Sequence, residues 1–196
     1  MALALAVVGL IACALAAPIV TRGEAREALV VRDVLQHGHW IIAHRDGTIA
    51  SKPPLFHWLA AGAASIAGLH DAVIRLPSVL AAVALLGLTA MLGRRIGGPA
   101  LGALAVGVLA TNPYFWASAV EARVDMLFAA LIAAALAAFF DWHREANAAA
   151  RRALYFAVAA AVLTKGPAGA AIPALAIVLF LAWEGRLTEL RTLATP

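Results

Sequence analysis

Cys13 is the only cysteine in 196 residues, which excludes an internal disulfide framework and a multi-thiolate zinc site. Charge is almost as scarce. Fifteen Lys and Arg and 11 Asp and Glu make up 13% of the chain, against 64% apolar residues. Soluble domains carry roughly twice that share of charge. So few polar groups cannot coat a globular surface, and a soluble enzyme is excluded. There is no GxGxxG loop, Walker motif, Ser-His-Asp order, nucleic-acid module or repeat of solenoid type. There is also no basic tract. The net charge of +4 therefore reads as loop arginines beside anionic lipid, with no nucleic-acid partner.

What is present is a series of long apolar runs. Ala2 to Val20 carries no charge and is long enough to span a bilayer. Ala14-Leu15-Ala16 has the look of a signal-peptidase site, and Leu10-Ile11-Ala12-Cys13 that of a lipobox. Both normally follow a basic segment, which is missing here, so a retained first span is expected. Further charge-free stretches run from Leu76 to Gly93, Pro99 to Val120, Met126 to Phe140, Ala153 to Thr164 and Pro167 to Trp183. The two short ones borrow flanking interfacial residues such as Trp142 and Tyr155. The expectation is an all-α integral membrane protein with five to six transmembrane helices in a single domain over 1–196. Spans fall at 2–20, 76–93, 99–120, 125–142, 152–165 and 167–184, with a tail at 185–196.

Orientation follows from the loop cations. Arg94, Arg95, Arg144, Arg151, Arg152, Arg186 and Arg191 lie in short linkers on one side. Short loops govern insertion, which makes that side and the tail cytoplasmic. The opposite side is periplasmic or extracellular, and the protein is multi-pass in a plasma (inner) membrane. It carries the 21–75 insert, which holds 11 of the 26 charges and five of the six histidines. Within the insert, Thr21 and Glu24 fit a capping box opening a helix to about Gln36. Ala28, Val31, Val34 and Leu35 form its apolar stripe, and Gly38 stops it. Asp46-Gly47 marks a turn. Lys52-Pro53-Pro54 opens a second helix that ends near Gly68. The first helix rests on the membrane surface or against other spans, and the second suits the membrane interface.

Several ionisable groups stand at the outer ends of apolar segments: Glu24, Arg26, Lys52, Glu121, Arg123, Asp125 and Lys165. Such groups are costly near membrane depth unless paired or functional. Collected on one face, they would hold a lipid-linked phosphate by charge-assisted hydrogen bonds, and a carboxylate would orient or deprotonate a hydroxyl. Each also has a plainer reading. Glu24 caps a helix with Thr21. Arg26 pairs at the surface with Glu27 or Asp33. Lys52 snorkels, Arg123 and Asp125 close the ends of two spans, and Lys165 caps a helix C-terminus. The spacing of His37, His39, His44, His57 and His70 matches no metal-ligand motif, and these read as polar loop histidines, so no metal ligand is assigned.

Glu24-Ala25-Arg26, Lys52-Pro53-Pro54-Leu55 with Phe56 to Leu59, Arg75-Leu76-Pro77-Ser78, Arg123-Val124-Asp125-Met126 and Thr164-Lys165-Gly166-Pro167 follow one another between the spans. In this order they resemble the N-terminal part of membrane glycosyltransferases of the protein-mannosyltransferase and aminoarabinose-transferase type. The resemblance covers nearly the whole chain but less than half of a typical member. It implies a partial GT-C fold and inverting transfer of a sugar from a polyprenyl phosphate to a lipid, glycan or protein acceptor. A C-terminal half of the family pattern is missing. Glu24 and Asp125 would be catalytic, with Arg26, Lys52, Arg123 and Lys165 binding phosphate. The cofactor stays open, with room for a divalent cation. Two positions depart from the pattern. Gly23 stands where the acidic pair usually begins with aspartate, and Ser51 stands where the aminoarabinose branch often has an acid. The alternative is a non-catalytic relative that binds lipid or a partner membrane protein. A small transporter would place broken helices at mid-membrane, whereas these charges sit at helix ends.

Overall fold

The computed structural model describes Gly9, Ala12 and residues 18–194. The expected span at 2–20, with the Cys13 motif and the peptidase-like site, otherwise lies outside the described residues. The described chain is mostly helical. Helix α1 (Arg22–His37) is N-capped by Thr21, whose hydroxyl accepts from the Glu24 N–H, and ends at Gly38 in the left-handed region. A hairpin follows, β1 (His44–Arg45) paired antiparallel with β2 (Thr48–Ile49). Asp46 and Gly47 both take positive φ in its two-residue turn, the geometry such turns require. Helix α2 (Leu55–Ala67) starts after Pro54 and stops at Gly68.

Helix α3 (Asp71–Ala110) is two helical arms joined at Gly97 and Gly98, where φ reaches −142° and +82°. The arms touch backbone to backbone: a Cβ on Gly93 would stand 2.7 Å from the Gly102 Cα. Glycine is required there for the close approach. The expected continuous segment at 99–120 breaks at Thr111-Asn112. The Asn112 side chain accepts from the Tyr114 N–H, Pro113 occupies the first turn, and a separate helix α4 (Pro113–Val120) begins. An absence of charge does not prevent a break when an asparagine cap precedes proline. Helices α5 (Val124–Glu145), α6 (Ala148–Lys165) and α7 (Ala168–Trp183) complete the bundle, followed by α8 (Glu189–Ala194). Helices α3 and α5 are long and apolar enough to cross a membrane.

Three apolar clusters hold these parts together. Val31 and Val34 of α1 pack with Phe56 and Ala60 of α2, Ile74 of α3 and Val124 of α5. Leu86 and Val106 of α3 meet Phe115 of α4 and Met126 of α5. Phe139 and Trp142 of α5 meet Leu154 of α6 and Leu181 of α7. Charged residues collect at both ends of α5. Asp125 lies in its first turn, while Asp141, near its end, pairs with Arg95. A rise of 1.5 Å per residue puts the two aspartates about 24 Å apart, close to the apolar thickness of a bilayer.

Candidate functional site

The N-terminal ends of α1, α3 and α5 and the C-terminal end of α6 meet at one place. Glu24 and Arg75, 51 residues apart, form a buried ion pair. The Arg75 Nε stands 2.8 Å from Glu24 Oε1, and the two side chains are 4% and 3% exposed. The same carboxylate accepts from the Ala122 N–H at 3.0 Å and from the Thr21 hydroxyl at 3.3 Å. The capping box is thus only half closed: Thr21 caps the helix, but the Glu24 side chain reaches away to α3 and to the loop before α5. Burial pushes the Glu24 carboxyl up. Hydrogen bonds from Arg75 and Ala122, the Arg75 charge and the Thr21 hydroxyl outweigh this and hold it below its ordinary value.

From Ala122 the chain leads directly into a second group. Asp125 lies 2.7 Å from Lys165 Nζ of α6 and 3.0 Å from the Arg123 guanidinium. Arg123 also reaches Glu121 at 3.5 Å. The Arg123 carbonyl accepts from the buried Ser78 hydroxyl at 3.1 Å, which ties this loop to α3. Lys165 also stands over the Phe128 ring, 5.1 Å from its centre, a cation–π placement. Half-buried Lys52 adds to the positive potential at Asp125. Asp125, Lys165 and Arg123 are about a third to a half exposed, so this group opens outward while the Glu24–Arg75 pair is sealed beneath it.

An apolar groove of about 370 Å³ lies between α2, α3 and α5. Leu59 and Ala63 of α2, Leu76 and Leu80 of α3, and Leu127 and Leu131 of α5 line it. Each of these helices starts beside a residue of the polar group: Lys52 before α2, Arg75 and Ser78 in α3, and Arg123 and Asp125 at α5. The polar group and the groove thus share the same three helices, with the charges at the helix starts and the apolar lining further along.

Of the residues expected from sequence, Glu24, Arg123, Asp125 and Lys165 come together, with Lys52 within electrostatic reach. Arg26 does not join them. It is exposed and makes no ion pair among the described residues. Two positions along a helix is a rotation of about 200°, which turns Arg26 away from the face that Glu24 presents. Arg75 was not expected in the group, whereas Glu121, one of the outer-end charges, joins it through Arg123. The signal for Arg75 was a charge in the first turns of a long apolar helix, which demands a partner. His57 corrects another expectation. It is a buried residue of α2, not a loop histidine, with its Nε2 2.6 Å from Glu27. Gly23 lies beneath Arg123: a Cβ there would stand 3.4 Å from the arginine Cδ.

The family model for dolichyl-phosphate-mannose-protein mannosyltransferase matches residues 51–194. Among solved structures, ArnT from Cupriavidus metallidurans in the apo state is similar over 95% of this chain, with a TM-score of 0.84 and 27% identity. The same protein bound to undecaprenyl phosphate is similar over 98%, with a TM-score of 0.89 and 27% identity. The chain spans 37% of the length of that protein. No curated protein matches significantly. The chain belongs to the dolichyl-phosphate-mannose-protein mannosyltransferase family, as a membrane protein of glycosyltransferase type.

Proposed function

We propose that the chain forms the donor-binding part of a glycosyltransferase that takes a sugar from a polyprenyl phosphate on the external face of an inner membrane. The observation that carries this reading is that Lys52, Arg123 and Lys165 gather around Asp125 at the end of the bundle where α2, α3 and α5, the helices lining the apolar groove, begin. A phosphate would sit among the cations while the first isoprene units lie along Leu59, Leu76, Leu80 and Leu127. The likeness to a protein bound to undecaprenyl phosphate supports it.

In the transfer, an acceptor hydroxyl oxygen attacks the sugar C1, the bond from C1 to the phosphate oxygen breaks, and the hydroxyl proton passes to a carboxylate. The leaving phosphate gains charge, which Lys52, Arg123 and Lys165 stabilise. Asp125 is the nearest carboxylate to those cations and takes the catalytic role. Glu24 is a positioning residue, because Arg75, Ala122 and Thr21 occupy its oxygens. It fixes the Ala122–Asp125 loop from below. The carboxylates here do not fit a divalent cation. Each is already matched by arginine or lysine, and Ser51 offers no charge beside Lys52, so no step runs through a metal. The acceptor is a lipid, glycan or protein.

A second reading has a specific observation in its favour. Gly23 leaves Arg123 without the aspartate that the family pattern supplies, and Asp125 is held by two cations. A chain of this kind would retain donor without turning it over. Purified protein incubated with radiolabelled polyprenyl-phosphate sugars, scored separately for retention and transfer, tests both. Retention with transfer supports the enzyme, and retention alone supports the lipid-binding relative. Unchanged retention in Lys52→Met removes Lys52 from the donor site.

A further inference from the structure

At the other end of α1, Asp33, His37 and His39 place one ligand atom each within 4.8 Å of one another. Asp33 lies nine residues beyond Glu24, about 14 Å along the helix, so this group is separate from the site above. The His37 Nδ1 is 3.0 Å from Asp33 Oδ1, and the His39 Nδ1 is 3.0 Å from Asp33 Oδ2. Across the loop, the His44 Nδ1 is 3.2 Å from the His39 Nδ1. The His44 N–H donates to Asp33 Oδ2 at 2.9 Å, which brings β1 against the helix.

Hydrogen bonding alone serves this arrangement poorly. The His39 Nδ1 faces a carboxylate oxygen and a second imidazole nitrogen at once. It carries either one proton or one lone pair, and so cannot donate to Asp33 and accept from His44. A cation satisfies all of these atoms together, because each nitrogen then offers a lone pair and the carboxylate a charge. Two of the separations also fit, those from His39 to Asp33 and from His39 to His44. Bonds of 2.0–2.1 Å to a tetrahedral zinc ion put neighbouring ligand atoms about 3.3 Å apart, against the 3.0 and 3.2 Å seen here. Three imidazoles and one carboxylate are a donor set that zinc and its first-row neighbours favour over magnesium or calcium.

We infer that Asp33, His37, His39 and His44 form a zinc-type divalent metal site that clasps the 39–44 loop to the end of α1. Between its ligands the loop presents Trp40, Ile41 and Ile42, which are 42%, 84% and 56% exposed. Isolated apolar tips of this kind suit a membrane interface, and the metal fixes the direction in which they point. The Trp40 carbonyl accepts from the Trp58 indole N–H of α2, so the clasp also passes its order on to α2.

The test uses the full chain, free of any histidine tag, purified in detergent and stripped with a chelator. Zinc is then titrated against a chromophoric competitor. One equivalent should bind, and cobalt in its place should give the visible absorption of a tetrahedral ion. His39→Gln and His44→Gln should each weaken zinc binding by more than the ~10–100-fold that loss of an outer-sphere partner costs, with helicity unchanged. His70→Gln, outside the group, should bind as the parent does. Limited proteolysis at Arg45 should slow when zinc is added. Lack of stoichiometric binding by the parent chain, or unweakened binding by the His39→Gln/His44→Gln double variant, would overturn the inference. Neither result depends on donor retention or sugar transfer.

Discussion

Replacing Glu24 by glutamine leaves the Arg75 guanidinium buried opposite an uncharged partner. Arginine cannot discharge itself by losing a proton, so the variant carries the penalty of a broken buried pair, about 3–5 kcal/mol. For a chain of this length each kcal/mol lowers Tm by roughly 2–4 °C, which makes a fall of about 6–20 °C. Arg75→Met is the informative partner. It leaves Glu24 buried, but that carboxyl still receives the Ala122 N–H and the Thr21 hydroxyl and can take up a proton. Its loss should be smaller than that of Glu24→Gln, and smaller still at acidic pH. The double variant removes both charges and should recover about 1–3 kcal/mol relative to the sum of the single losses, the size of coupling expected between contacting residues. Thermal unfolding in detergent, followed by helical circular dichroism, measures all three. Additive losses, or a milder effect for Glu24→Gln than for Arg75→Met, would refute the claim that this pair anchors α1 to α3.

The acid limb of stability should carry the Glu24 signature. Its carboxyl is held below the ordinary value, so its contribution is complete above about pH 4.3 and is lost as pH falls through the lowered folded value; Glu24→Gln should flatten the Tm profile there. Asp125→Asn breaks pairs that are a third or more exposed, so it should cost less than about 1 kcal/mol while abolishing sugar transfer in the radiolabel assay. Gly23→Asp places a carboxylate under Arg123, in a first turn that favours acids by about 0.3–1 kcal/mol, and should raise transfer where Gly23→Ala does not. Gly169→Ala sets a Cβ 2.3 Å from the Ala161 carbonyl carbon and the Val162 nitrogen and should lower Tm by forcing α6 and α7 apart. Gly107→Ala meets open space and should stabilise by about 0.5–1 kcal/mol.

Local chemistry made the insert legible. Thr21 and Gly38 delimit α1 because capping is settled within a turn of the chain, and Asp46-Gly47 marks the hairpin for the same reason. Charge counting finds the apolar segments, but reads through Thr111-Asn112-Pro113, where the backbone needs a cap and a proline and not a charge. The placement of Lys52, Arg123, Asp125 and Lys165 at or beside helix ends was readable from their positions beside apolar runs. The pairing of Arg123 with its near neighbour Asp125 was readable too, but the distant partners were not. Glu24 and Arg75 are 51 residues apart, and Asp125 and Lys165 are 40 apart, so packing and not periodicity selects these pairs. His57 is hidden from sequence reading in the same way, since its partner Glu27 lies a full helix away. The Asp33–His44 group escapes motif reading because a hairpin, rather than a fixed ligand spacing, brings His44 back to α1.

The central claim is that one charged end of the bundle, and not the other, holds a lipid-linked phosphate. Retention of radiolabelled undecaprenyl phosphate by the purified chain tests it most directly when the two ends are disarmed separately. The account predicts that Lys52→Met/Arg123→Gln loses the lipid while Arg94→Gln/Arg95→Gln keeps it. Loss with the Arg94/Arg95 pair alone, or equal retention by both variants and the parent, would contradict it.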